Sequence, residues 1–290
     1  MFDRKVLKQR AKMVLSQSFL MSAVACAIVS LLSGGFITYN LQNVSNSSFD
    51  GMSNVRIAAT FAVVGIILIF SAAFSIFVVA PLKVGLRRFM LSAADGDANL
   101  EYLMFPFRNN YKNIVLVTFV KNLYIGLWSM LIFIPLSIGV WGYFDEINQL
   151  IIGVQNDSVM AAIALMMTTG ILSLVMIVSL IPAIIKELQY SLVEYLLAEN
   201  PDMGVRETIG KSKELMVGNK WAYVKLIFSF VGWQLLASFV CCIGGFILAP
   251  YMEATYTQMY LEISGQGKDY SGFDYNNPFG SNPFGGFGNV

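Results

Sequence analysis

Apolar residues in this chain gather in long unbroken runs separated by short polar stretches. Runs of about 20 residues or more, enough for a helix to cross a bilayer at 1.5 Å rise per residue, occupy 19 to 39, 57 to 80, 114 to 141 and 159 to 185. From Ala222 to Ile263 the sequence stays largely apolar for too long to be one span, and Gly244 with Gly245 offers a break. Two shorter spans are therefore expected at 222 to 242 and 246 to 263. The pattern predicts an all-α polytopic membrane protein with about six transmembrane helices, or five if the last stretch does not cross.

The polar stretches carry their own periodicity. Residues 1–18 place Leu7, Ala11, Val14 and Leu15 at i, i+4, i+7 and i+8, which predicts an amphipathic N-terminal helix on the cytoplasmic face. Anionic lipid attracts such a segment by roughly 1 kcal/mol per basic residue near the surface. After Pro182 the helical pattern runs on through IKELQYSLVEYLLAEN, too charged for hydrocarbon, so the fourth helix is expected to project into the cytoplasm. It delivers Glu199 to the polar insert ENPDMGVRETIGKSKELMVGNKW. There Asp202 is placed to cap a helix over about 203 to 217, and Gly218 to end it in the left-handed region. Val205, Ile209 and Met216 fall near one face, with Arg206, Lys211, Lys213 and Glu214 mostly elsewhere. Such a helix either lies along the bilayer surface or is a solvated connector. The loop 81–113 has a similar layout, with a turn at Asp95-Gly96-Asp97 followed by an aromatic segment that makes a second candidate surface element. That triplet lacks the later ligand positions of a calcium loop and reads as a turn.

Charge gives the runs a direction. The chain is 56% hydrophobic and 13% charged with a net charge of +1, so the placement of its bases matters more than their sum. Five of the 19 basic residues precede the first span, five lie between Pro81 and Lys112, and six between Lys186 and Lys225. The connections 40–55 and 142–159 hold none, and Arg56 sits alone at the outer edge of the second span. Loops 81–113 and 186–221 are therefore expected inside, along with both termini. A cleaved signal peptide is not expected, because the basic region and the apolar run after it are both long and no small-x-small site is evident. The bundle 19–263 is followed by a Gly/Asn/Phe-rich segment, 264–290, expected to be disordered. Its Asn-Pro-Phe triplets at Asn277 and Asn282 read as a docking element or as plain low-complexity sequence.

Candidate chemistry is sparse. The absence of histidine removes the commonest general base and a major metal ligand. Cys26, Cys241 and Cys242 all fall in apolar runs, where cysteine packs as a small hydrophobe. No catalytic, cofactor or metal constellation is expected, and the charge balance gives nucleic acid no support as a partner. Polar groups at membrane depth remain. Lys121 lies about two turns into the third span from the cytoplasmic side, and Glu253 about two turns into the sixth from the outer side. Each costs about 2.5 to 3.5 kcal/mol facing lipid near the bilayer centre, so each should face protein or water. They could face one another, with Gln234 lining the same polar interior. Glu253 and Lys121 then form a substrate or proton site, or else a structural ion pair for Glu253 and a snorkelling lysine.

The chain resembles an uncharacterised bacterial integral-membrane family, domain of unknown function 975. The likeness is carried by RKVLKQRAKMVL, by RRFMLSAADGDANLEYLMFPF, by FSFVGWQLL and LAPYMEATYTQMY, and most specifically by the segment from AENPD to GNKW. It implies a multi-spanning plasma-membrane protein, mostly known from Gram-positive bacteria, with no established activity. Together these readings favour a non-enzymatic membrane component that binds lipid headgroups or an unidentified cytoplasmic protein. Its contacts would be the N-terminal helix and the 203 to 217 helix, with Arg206, Lys211, Lys213 and Trp221. The alternative is a small transporter with a polar pathway around Glu253 and Lys121, its movement provided by breaks at Pro182, Gly244 and Pro250. A lipid-acting enzyme ranks last, because Glu187, Glu194 and Glu199, seven and five apart, do not share one helix face. The sequence fixes no oligomeric state.

Overall fold

Asp3 opens the first helix. Its backbone is extended and its carboxylate accepts from the Lys5 N–H at 2.9 Å, which satisfies one donor of the first turn. The computed structural model describes residues 3–35, 54–137, 158–239 and 243–266. Residues 36–53 and 138–157, Cys241 and Cys242, and the tail from 267 with its Asn-Pro-Phe triplets lie outside the described residues. All regular structure among the described residues is helical.

Helix α1 spans Arg4–Ser30 and continues into a π-helical turn, Leu31–Gly35. It bends at Ser18, where φ −127° and ψ 16° leave the helical region. The Ser18 hydroxyl donates to the Val14 carbonyl at 2.9 Å, a back-bond that commonly accompanies such bends. Helix α2, Asn54–Phe74, passes through a π-helical turn, Ser75–Val79, into α3, Ala80–Ala94. Pro81 sits in the first turn of α3, where the looser π-helical turn before it accommodates the missing N–H and the ring. The turn expected at Asp95-Gly96-Asp97 follows, with Gly96 at φ 93°. A 3₁₀ turn, Leu100–Met104, and the short α4, Phe105–Arg108, lead to α5, Tyr111–Ser129. The remainder comprises α6, Ser158–Tyr190, with Pro182 inside it, α7, Val193–Glu199, and α8, Val205–Leu215. Last come α9, Lys220–Phe239, and α10, Ile243–Ile263, which contains Pro250.

Four helical stretches among the described residues are long and apolar enough to cross a membrane: Arg4–Ser33, Ala62–Ala94, Tyr111–Ser137 and Thr169–Glu199. Glu253, Gln258 and Glu262 dilute α10, which does not join them, and the described side chains of α9 include Lys220, Lys225 and Gln234. Burial along these stretches is the reverse of a soluble protein's. Leu20 and Ile69 are each more than 70% exposed, as suits side chains whose solvent is lipid.

The chain divides into two units. The first takes residues up to Phe119 and from Leu192 onward. Its core joins Ala25, Cys26 and Val29 of α1 to Leu82, Leu86, Phe89 and Met90 of α3, with Leu103 alongside. A second cluster joins Ala11 and Leu15 to Ala254 and Tyr251 of α10. The other unit, Val120–Ser191, holds most of α5 and all of α6. Within it Lys186 stands 4.9 Å over the Trp128 ring and Tyr124 meets Tyr190 at 6.4 Å.

Three expectations change here. The stripe Leu7, Ala11, Val14 and Leu15 is buried, and α10 covers part of it, so protein takes the place expected for lipid. The insert helix is shorter than 203 to 217, and Gly204 rather than Asp202 occupies its N-cap, since the Asp202 carboxylate instead accepts from the Asn110 amide at 2.9 Å. Part of its apolar face is turned into the protein. Ile209 and Met216 are buried and α8 packs on α7, while Gly218 does take the expected left-handed turn at φ 78°. The loop 81–113 is no free surface element either, because α3 is mostly buried and Leu103 belongs to the core.

Gly85 marks the closest approach within that core. A Cβ there would lie 2.3 Å from the Leu103 carbonyl oxygen, which is backbone and cannot swing away. Gly85→Ala should therefore destabilise by about 1 to 3 kcal/mol, the usual range for overpacking. The check is thermal unfolding in detergent beside Gly65→Ala, where a Cβ meets open space. Equal midpoints for the two variants would refute the close packing.

Candidate functional site

Helix α3 carries two adjacent arginines, and their 100° separation around the axis sends them to different partners. Arg87 Nη1 pairs with the Glu253 carboxylate of α10, and Nε donates to Glu194 Oε2 of α7 at 3.3 Å. The guanidinium carbon stands 4.9 Å over the Tyr195 ring. Arg88 donates to the Ala198 carbonyl at 3.4 Å, near the C-terminus of α7 where carbonyls lack helical partners. It also lies over the rings of Phe105 and Tyr102, 5.2 and 6.0 Å away. The Tyr102 hydroxyl donates to Asp97 at 2.6 Å, and this hydrogen bond raises the phenol above its ordinary pKa.

Tyrosines extend the cluster along α7 and α10. Tyr195 and Tyr260 stack at 4.8 Å with planes 14° apart, and the Tyr195 hydroxyl is 3.4 Å from that of Thr257. Tyr260 donates to Glu199 at 2.7 Å. Glu194 and Glu199 thus each have a partner, and the turn at Ser191–Leu192 separates them from the helix that carries Glu187. The hairpin of α9 and α10 closes on Phe230, which meets Tyr251 and Tyr256 edge-on at 5.6 and 6.1 Å. Helix α1 grips the hairpin by its bases. Arg10 pairs with Glu262 at 2.7 Å, Arg4 donates to the Lys225 carbonyl at 3.3 Å, and Lys8 reaches the Ser229 carbonyl at 3.5 Å.

A cavity of about 340 Å³ opens beside Arg87, with Lys83, Glu194, Glu253 and the hydroxyls of Ser30 and Ser33 in its wall. Two cations face two carboxylates, so the wall is balanced in charge. Arg87 already engages both acids, which leaves neither poised as a general base. No group of three potential metal-ligating side chains occurs among the described residues.

Of the residues singled out from sequence, Glu253 lies in this cluster, paired with Arg87. Lys121 belongs to the second unit and is buried. Gln234 is exposed on α9 and its amide reaches Met252 Sδ at 3.6 Å. Arg206, Lys211 and Lys213 are exposed on α8, and Trp221 is 69% exposed at the start of α9. Sequence reasoning missed Arg87 and Glu194 as site residues. The signal was available in PLKVGLRRFM, whose apolar positions continue past Pro81 at helical spacing and mark a core helix rather than a loop.

The family described as protein of unknown function (DUF975) matches residues 1–267, and the chain belongs to it. No curated protein and no solved structure matches the chain.

Arg87 holds two acids, so its removal should cost more than the loss of either. Arg87→Met strands both carboxylates in a site where all three side chains are less than a quarter exposed. About 3 to 5 kcal/mol is typical for removing one partner of a fully buried pair, and partial exposure puts this site toward the lower end. Glu253→Gln keeps the Glu194 contact and should cost about 1 to 3 kcal/mol. Adding Glu194→Gln and Glu253→Gln to Arg87→Met should recover part of the loss, as read by thermal unfolding in detergent. Strict additivity would show that the three groups do not interact.

Proposed function

We propose that this DUF975 member is a non-enzymatic integral component of the bacterial plasma membrane that binds a protein partner or lipid headgroups through a basic cytoplasmic face. Both termini lie on that side. The observation that carries the reading is how the charges are used. Arg206, Lys211 and Lys213 stand exposed along α8 with Trp221 nearby in sequence, in the segment that the charge distribution assigns to the cytoplasm. Exposed bases beside an exposed aromatic suit an acidic peptide or an anionic headgroup. The charge-balanced cavity and the absence of histidine support a role without catalysis.

The four long apolar stretches are the full crossings in this reading. The hairpin of α9 and α10, counted from sequence as a fifth and sixth span, instead enters and leaves on the cytoplasmic side. Three contacts support this. Arg4 and Lys8 of the basic N-terminal segment meet the Lys225 and Ser229 carbonyls, and Glu253 meets Arg87, a residue that the charge distribution assigns to the cytoplasm. Exposed Phe228, Trp233, Leu236, Phe246 and Ile247 then mark the part of the hairpin that reaches hydrocarbon. Both termini remain cytoplasmic, as six full crossings would also have them.

The transporter reading stands second. The 340 Å³ cavity favours it, and the pairing of both its carboxylates with Arg87 weighs against it. A photoreactive side chain at Lys211 of the full chain, in native membranes, should give discrete crosslinked species on the cytoplasmic side. Arg206→Glu with Lys213→Glu should lower their yield about tenfold or more, given roughly 1 kcal/mol per base and twice that for reversal. Unchanged crosslinking, together with substrate flux in proteoliposomes that vanishes in Glu253→Gln, would reject the proposal in favour of transport.

A further inference from the structure

A groove of about 890 Å³ runs within the first unit between the N-terminal half of α1 and the hairpin of α9 and α10. Its two ends differ in chemistry. At one end Lys5, Lys8 and Lys12 recur at three and four residues along a single face of α1. Lys5 and Lys12 are exposed, while Lys8 is steadied by the Ser229 carbonyl and by the Phe230 ring 4.3 Å below it. At the other end Phe19 faces Trp233, Leu236 and Leu248. Among the described residues, no aspartate or glutamate lines the groove.

The dimensions match one leaflet. From Lys12 to Phe19 the helix rises about 10 Å, within the roughly 15 Å that half of a 30 Å hydrocarbon core provides. The bend at Ser18 falls inside this interval, where the basic segment gives way to the apolar one. A soluble anion would satisfy the lysines and leave the apolar shaft wet. An apolar segment would fill the shaft and leave three ammonium groups without a counter-charge. An amphiphile with an anionic head and a hydrocarbon chain satisfies both ends.

We infer that this groove holds one anionic phospholipid of the cytoplasmic leaflet, its phosphate among Lys5, Lys8 and Lys12 and an acyl chain along Phe19, Trp233 and Leu236. The inference rests on the membrane placement of α1 proposed above, and it assigns the lipid to a site apart from α8. It differs from the attraction of basic residues to a charged surface in requiring a chain seated between helices, so the headgroup alone should bind poorly.

Trp233 reports on the shaft directly. In full-length protein with Trp128, Trp141 and Trp221 replaced by phenylalanine, phosphatidylglycerol brominated on its acyl chains should quench Trp233 saturably. It should do so at about tenfold lower mole fraction than brominated phosphatidylcholine. Lys5→Gln with Lys12→Gln should abolish that preference, and Ser16→Phe, which fills the groove from an exposed position, should lower quenching by both lipids. Glycerol phosphate in excess should not displace the lipid. Should the triple replacement fail to fold, phosphatidylglycerol retained through detergent purification is measured on the native chain and on the Lys5→Gln, Lys12→Gln variant, with at least a severalfold drop expected. Equal quenching by the two lipids, indicating only bulk contact, would overturn the inference, as would displacement by glycerol phosphate or retention unaffected by the lysine changes. Crosslinking at Lys211 in the chain with its native tryptophans, with and without Lys5→Gln and Lys12→Gln, separates the two claims, because its persistence without lipid preference removes the groove site and leaves the partner-binding surface intact.

Discussion

One guanidinium ties the first unit together. Arg87 joins α3 to α7 through Glu194 and to α10 through Glu253, and these helices are far apart in sequence. The planar fork of arginine can serve two carboxylates at once and still present a face to Tyr195, which a lysine could not do. Such a site is strong only as a whole. Desolvating three charged groups is costly, and their mutual attraction with the surrounding hydrogen bonds offsets that cost only while every member is present. The height of α10 against α3 follows from this contact. Helix α9 follows α10 through Phe230 and its tyrosine partners, and α1 is held to both by Arg10, Lys8 and Arg4.

The core sits where the hydrophobic effect can act. Lipid tails are as apolar as leucine, so a span gains little by hiding its side chains from them, and Leu20 and Ile69 remain open. Segments at or beyond the membrane surface meet water and have every reason to bury apolar faces. The buried apolar residues include Leu7 and Ala11 of the basic start, Phe89 and Met90 of α3, Leu196 and Leu197 of α7, and Met216 after α8. Sequence segments with the most charge therefore supply much of the packed interior. The charges occupy the opposite faces or close the ion pairs.

This explains which features were legible. Punctuation was, since it is set by local chemistry. The change of character near Ser18, the turn at Asp95-Gly96-Asp97 and the left-handed Gly218 all fall where short-range rules put them. The destination of an amphipathic face was not. The stripe of Leu7, Ala11, Val14 and Leu15 looks the same whether it rests on lipid or on α10, because periodicity states that a face is apolar and nothing about its neighbour. Capping misled for a related reason. Asp202 has the composition of a cap, but Asn110, 92 positions away, draws its carboxylate aside while Asn113 donates to the Pro201 and Met203 carbonyls at 2.8 and 2.9 Å. Glu253 was legible as a charge needing a partner, but depth counted along an apolar run pointed to Lys121. The alternative, Arg87, had been set aside with the cytoplasmic bases.

The pairing with Arg87 bears on how α10 works, because the helix divides its surface. Glu253, Thr257 and Tyr260 face α3 and α7, while Leu248 and Tyr251 line the groove and Ala254 packs on Ala11 and Leu15 of α1. Glu262 anchors the end to Arg10. Phe246 and Ile247 of the apolar N-terminal turns stand exposed. The polar side chains of α10 are therefore gathered toward its C-terminal half, where protein partners meet them.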